Sequence, residues 1–163
     1  MPANVVLRPL TAAHQAFLWT ALYHAIYVAP GDPPLPPEIV HLPDIAPYAA
    51  DFGRAGDRGV IATAGDQPIG AAWARRMRGY GYVDDDTPEL SIALLPGWRG
   101  AGIGSLLLER LLGELSADAA QVSLSVVWTN PARRLYERLG FETVALEGGS
   151  ATMVKRLLPA SKT

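Results

Sequence analysis

Apolar positions along the chain fall into two rhythms, and their order predicts the succession of elements. Val5, Val6 and Leu7 form a short run stopped by Pro9, which reads as a strand. Thr11 then stands at a helix N-cap position, and Phe17, Leu18, Ala21, Leu22, Ala25 and Ile26 recur at three- and four-residue spacing. That spacing predicts an amphipathic helix over residues 12–25. The stretch PGDPPLPP, residues 30–37, ends it because proline lacks an amide proton and drives its predecessor out of the helical region. An irregular helical stretch is expected over 43–52. Residues 60–64 and 69–77, joined by a turn at 65–68, read as an antiparallel hairpin.

A polar, glycine-containing link over 78–88 leads to ELSIALL, residues 89–95, a strand ended by Pro96. Ile103, Leu107, Leu111 and Leu115, broadened by Leu106, Leu108 and Leu112, predict a helix of about four turns. Residues 122–127 read as a strand. Asn130 and Pro131 open a short helix through Leu139, with Pro131 in its first turn and Gly140 as a left-handed cap. Residues 141–146 and 151–158 read as two closing strands.

Composition narrows the classes. The 163 residues, 49% of them apolar, suit a single domain over 1–163 that buries roughly 70% of its unfolded surface. The 16 glycines and 14 prolines show no repeat and belong to turns and loops. A net charge of -2 argues against holding a polyphosphate backbone by bulk electrostatics, so no nucleic-acid partner is expected. With no cysteine, and with His14, His24 and His41 at spacings unsuited to a metal, neither a metal site nor a thiol nucleophile is expected. The first residues lack a basic segment followed by an apolar run, and no stretch of 18 apolar residues occurs; the expectation is a cytoplasmic protein with no membrane partner.

The chemistry concentrates in LLPGWRGAGIGS, residues 94–105, a strand followed by a glycine-rich turn and an apolar helix. Glycines 100, 102 and 104 let main-chain amides converge on an anion, and the helix N-terminus adds partial positive charge. A P-loop is excluded, since no lysine occurs before Lys155. A dinucleotide fingerprint fits poorly, because Ser105 takes the place of the third glycine and residues 96–99 intervene after the strand; it stays as an alternative that predicts NAD(H) binding.

The pattern Arg99-x-x-Gly102-x-Gly104 resembles the acetyl-CoA loop of the GNAT superfamily of N-acetyltransferases. The segment NPARRLYERLGF, residues 130–141, resembles that family's C-terminal motif, and the likeness is close over residues 89–141. It implies an α+β fold with a mixed, mostly antiparallel sheet splayed into a V, helices on both faces, and acetyl-CoA between two diverging parallel strands, 89–95 and 122–127. The implied cofactor contacts are Ile92, Ala93 and Leu94 toward the pantetheine arm; Arg99, Gly100, Ala101, Gly102, Ile103, Gly104 and Ser105 around the pyrophosphate; and the Asn130 side chain.

The reaction implied is direct transfer of the acetyl group to a primary amine of a small molecule or peptide, with Tyr136 protonating the leaving thiolate. Some members carry a glutamate where this chain has Ser125, so Glu89 is the candidate base, acting through water. Tyr23, His24, Tyr27, Trp73, Tyr80 and Tyr82 are candidates for the acceptor pocket. A homodimer is expected from exposed edge strands. The competing reading is a non-catalytic acyl-CoA-binding sensor or interaction module on the same fold.

Overall fold

The computed structural model describes residues 4–157. Seven strands make one sheet: β1 (Val5–Pro9), β2 (Arg58–Ala64), β3 (Gln67–Arg75), β4 (Glu89–Leu94), β5 (Gln121–Val127), β6 (Glu142–Glu147) and β7 (Ser150–Arg156), in the order β1-β2-β3-β4-β5-β7-β6. Every neighbouring pair is antiparallel except β4 and β5. The helices are α1 (Gln15–Ala25), α2 (Ile103–Leu115) and α3 (Arg133–Arg138). The fold is α+β, with the mixed, mostly antiparallel sheet expected from the sequence.

Alternation along β3 explains how the sheet holds a helix on each face. Ala72 and Ala74 turn toward the cluster built on Leu107, Leu108 and Leu111 of α2, whereas Ala71 and Trp73 turn toward Leu18, Ala21 and Leu22 of α1. A strand covered on both faces reads as an unbroken apolar run, which is why residues 69–74 lack polar alternation. The α1 layer also takes up Val40, Tyr48, Ala49 and Phe52 from the proline-rich segment.

Local chemistry sets the boundaries. The Thr11 hydroxyl accepts from the Ala13 N–H at 3.3 Å, but the first turn, Ala12–His14, is a 3-10 turn and the α-helix begins at Gln15. The stretch expected as helical over 43–52 holds instead one 3-10 turn, Ala46–Tyr48, because Pro43 and Pro47 remove donors that an α-helix needs; a second 3-10 turn, Pro37–His41, precedes it. The helix expected from Asn130 starts at Arg133. Asn130 Oδ1 accepts from the Ala132 N–H at 2.9 Å and forms a turn that keeps Pro131 outside the helix. Gly140 caps α3 at φ +99°, as its position predicts. β7 ends at Arg156, and Leu158 lies outside the described residues.

Candidate active site

Strands β4 and β5 share one parallel pair, Glu89 with Ser123, fixed by the Ser123 N–H donating to the Pro88 carbonyl at 3.0 Å. Beyond that junction they diverge. The opening is a cavity of about 340 Å³ walled by Leu90, Ser91 and Ile92 on one strand and by Leu124, Ser125, Val126 and Val127 on the other. The end of α1 and the turns before β2 roof it with Leu22, Ile26, Tyr27, Ile45 and Tyr48.

The glycine loop follows β4. Gly100 and Gly102 hold φ of +81° and +83°, and Gly102 occupies the N-cap of α2 with no side chain capping the helix. The first amides of α2 therefore lack a side-chain acceptor of the kind that Thr11 supplies to the 3-10 turn ahead of α1, and they face the end of the loop as backbone donors. Gly104 has an ordinary φ inside the first turn of α2, where a Cβ would meet Ile92, Leu94 and Leu135 no closer than 3.7 Å. Ile103 is wholly buried and offers the loop only its main chain, while Ala101 is exposed and Ser105 half-buried. Arg99 is tied down by main-chain acceptors, Leu94 O at 3.2 Å and His24 O at 3.4 Å, and so fastens the loop to β4 and α1.

Glu89 is 2% exposed at the junction. Its Oε2 accepts from the Tyr48 hydroxyl and from the Gly81 N–H at 2.9 Å, and its Oε1 is buried without a hydrogen-bond partner among the described residues. Burial raises the carboxyl above its ordinary value, opposed by the Tyr48 hydroxyl and the Gly81 and Gly79 amides. Burial and the neighbouring Glu89 charge push the Tyr48 phenol far up, so it serves as a permanent donor. Tyr48 in turn accepts from the Tyr80 N–H at 2.7 Å.

Tyr48 carries no sequence signal, and two side chains of β3, Trp73 and Arg75, explain its position. The Trp73 indole donates to the Tyr48 carbonyl at 2.7 Å. The Arg75 guanidinium donates to the carbonyls of Pro47 at 2.9 Å and Ala50 at 2.7 Å, and pairs with Asp57 at 3.0 Å. Trp73 is thus not a pocket residue: it is 1% exposed and packs behind Tyr48. Glycines in the polar link have a matching purpose. A Cβ on Gly79 would crowd the Tyr48 hydroxyl and lie 2.7 Å from Glu89 Oε1, and one on Gly81 would lie 2.7 Å from the Leu124 main chain.

Tyr136 borders the cavity from α3, 8% exposed and edge-on to Phe141 at 5.9 Å; burial pushes its phenol up to about 12. Asn130 also lines the cavity, with Oδ1 bound to the Ala132 amide. Of the proposed acceptor residues, Tyr27 and Tyr80 reach the cavity. Tyr23 is turned away to donate to Leu35 O at 2.5 Å, Tyr82 bonds to Asp85 at 2.8 Å, and His24 stands outside the lining. Ile92 lines the cavity, whereas Ala93 packs under α1 and Leu94 against the α2 core. Among the described residues no three acidic or histidine side chains gather to hold a metal, and no helix is long and apolar enough to cross a membrane.

A sheet forked between two parallel strands, with bare helix amides at one end and a buried carboxylate at the other, is the architecture of an acyl-CoA-dependent transferase. The acetyltransferase (GNAT) domain family matches residues 55–143, and the chain belongs to that family. Over 63 residues, 38% of this chain, it is 41% identical to the [ribosomal protein bS18]-alanine N-acetyltransferase of Haemophilus influenzae, and the match spans 43% of that protein. Its fold is similar to that of yncA from Salmonella typhimurium, a putative acetyltransferase solved with acetyl-CoA (TM-score 0.68, 22% identity, 97% of this chain and 96% of that one). It is equally similar to the Escherichia coli ribosomal-protein-S18-alanine N-acetyltransferase (TM-score 0.68, 20% identity, 98% and 97%).

Proposed function

We propose that the protein is an acetyl-CoA-dependent N-acetyltransferase that acetylates a primary amine of a small molecule or peptide. The observation that carries this reading is the Glu89 carboxylate, buried at the fork with one unpartnered oxygen beside a cavity that Tyr136 also borders. The site fits the cosubstrate: the uncapped amides of α2 and the loop of Gly100, Gly102 and Ser105 suit a pyrophosphate, and the open edges of β4 and β5 together with Asn130 suit an amide-bearing arm. Bound there, acetyl-CoA supplies the thioester acyl group. Glu89, acting through water, takes the proton of the acceptor ammonium, and the Tyr136 hydroxyl gives a proton to the departing thiolate. Tyr136, held protonated by burial, is suited to that donation.

Thiol release from acetyl-CoA across a panel of amines tests the reading. Release should occur with at least one amine and fall at least about a hundredfold in Glu89→Gln and in Tyr136→Phe. Tight acetyl-CoA binding without release across the panel would favour the sensor reading, to which Ser125, in place of an acid on β5, lends support. Dependence on acetyl-CoA is consistent with a cytoplasmic location. The β6 edge, with Val144 57% and Leu146 63% exposed, supports a homodimer; light scattering should give twice the monomer mass, and Leu146→Lys should return it to the monomer.

A further inference from the structure

The acceptor end of the cavity has a one-sided chemistry. Leu22, Ile26 and Ile45 form an apolar wall, and the rings of Tyr27 and Tyr80 complete it. Among the described residues Glu89 is the charged one in the lining, and none of the others there is an arginine, lysine or histidine. Outside the lining Asp44 adds a second carboxylate, accepting from the hydroxyl of Tyr80, whose side chain does line the cavity. The arginines on the flanking segments are occupied: Arg78 pairs with Asp85 at 3.1 Å and lies over the Tyr82 ring, and Arg99 is bound to the carbonyls of Leu94 and His24.

Resting on the transferase reading above, we propose that the acceptor is a primary amine on an apolar or aromatic body with no carboxylate beside the amine. An ammonium group in the cavity reaches Glu89 through water, and the nearby carboxylates of Glu89 and Asp44 favour its positive charge. A carboxylate on the neighbouring carbon would enter the same confined space with acids nearby and, among the described residues, no cation in the lining to receive it. A charge desolvated without a partner is costly, so the site discriminates against free α-amino acids by leaving their carboxylate unpaired. The apolar wall rewards the body of the amine through area removed from water. Arylalkylamines and the amino terminus of a peptide share this chemistry.

Matched compounds test the proposal: phenethylamine, phenylalaninamide and phenylalanine share one body and differ at the carboxylate, and the first two bracket the basicity of the third. kcat/KM is measured with acetyl-CoA, and Kd is measured by calorimetry on the protein loaded with CoA. The amine and the amide should exceed phenylalanine at least tenfold in both quantities. Phenylalanine equal to or better than the other two, or no binding of any of the three to the CoA-loaded protein, would overturn the proposal. If the tenfold order holds in Kd while none of the three is acetylated, the acceptor class stands and the transferase reading falls. The dipeptide amide Phe-Ala-NH2, run alongside, tells a free amine from a chain terminus by its kcat/KM relative to phenethylamine.

Discussion

Glu89 faces Arg75 directly across the β3–β4 pair, yet the two charges are satisfied separately. Arg75 spends its donors on Asp57 and on the carbonyls of Pro47, Ala50 and Asp51, and the carboxylate is left with a phenol and amides as partners. That separation keeps its proton affinity high, and the consequence has a sign. With its folded value raised, Glu89 favours the folded state most fully below the ordinary carboxylate range, and that contribution is lost as pH rises through the folded value. The melting temperature of Glu89→Gln relative to the natural protein should therefore be higher at pH 8 than at pH 4, a difference that scanning calorimetry measures. Tyr48→Phe removes a donor that favours the ionised carboxylate. The acid limb of kcat/KM against pH should move to higher pH, with activity at neutral pH falling roughly tenfold or more. That Tyr136 and Glu89 border one cavity was foreshadowed in the sequence, Tyr136 by the motif of residues 130–141 and Glu89 as the acid opening the strand before the glycine loop once Ser125 offered none. Tyr48 was not, since it stands 41 residues from Glu89 in a proline-broken stretch whose position depends on side chains of β3.

Among the elements, α2 carries both the loop and one of the two cores. Its leucines were legible because their helical period survives intact in the structure, and Leu111, wholly buried, anchors that core. Leu111→Ala should cost about 2–5 kcal/mol in urea unfolding. Gly102 is a different case, since open space surrounds it and only its backbone conformation resists a side chain. Gly102→Val should leave the melting temperature within a few degrees and weaken acetyl-CoA binding at least about tenfold by calorimetry, because the N-terminal amides of α2 lose their aim. The segment between α1 and β2 resisted sequence reading for a physical reason. Its 3-10 turns have no repeating period, and Val40, Tyr48, Ala49 and Phe52 are buried by tertiary contact alone.

At the scale of the whole molecule, the two faces of the sheet are stabilised differently. The α2 face is closed by leucines, whereas the α1 face needs the Arg75–Asp57 pair to bind a loop of low intrinsic order. Arg75→Met should cost about 3–5 kcal/mol by leaving the Asp57 carboxylate buried, and it should lower kcat/KM further by freeing Tyr48. The β2–β3 hairpin was legible from its rhythm and the parallel β4 and β5 from the family likeness, but the place of β7 between β5 and β6 and the location of the fork at a single residue pair were not, because both depend on which strand edges meet in the folded sheet. That fork leaves the middle of the sheet with two inward-facing edges whose amides and carbonyls lack a strand between them. An arm bearing peptide-like groups can take the place of the missing strand. Along Leu90–Ile92 and Leu124–Val126 the alternate amides that face the fork should exchange fast in the free protein and slow sharply once acetyl-CoA is added, while those bonded to β3 and β7 stay protected throughout.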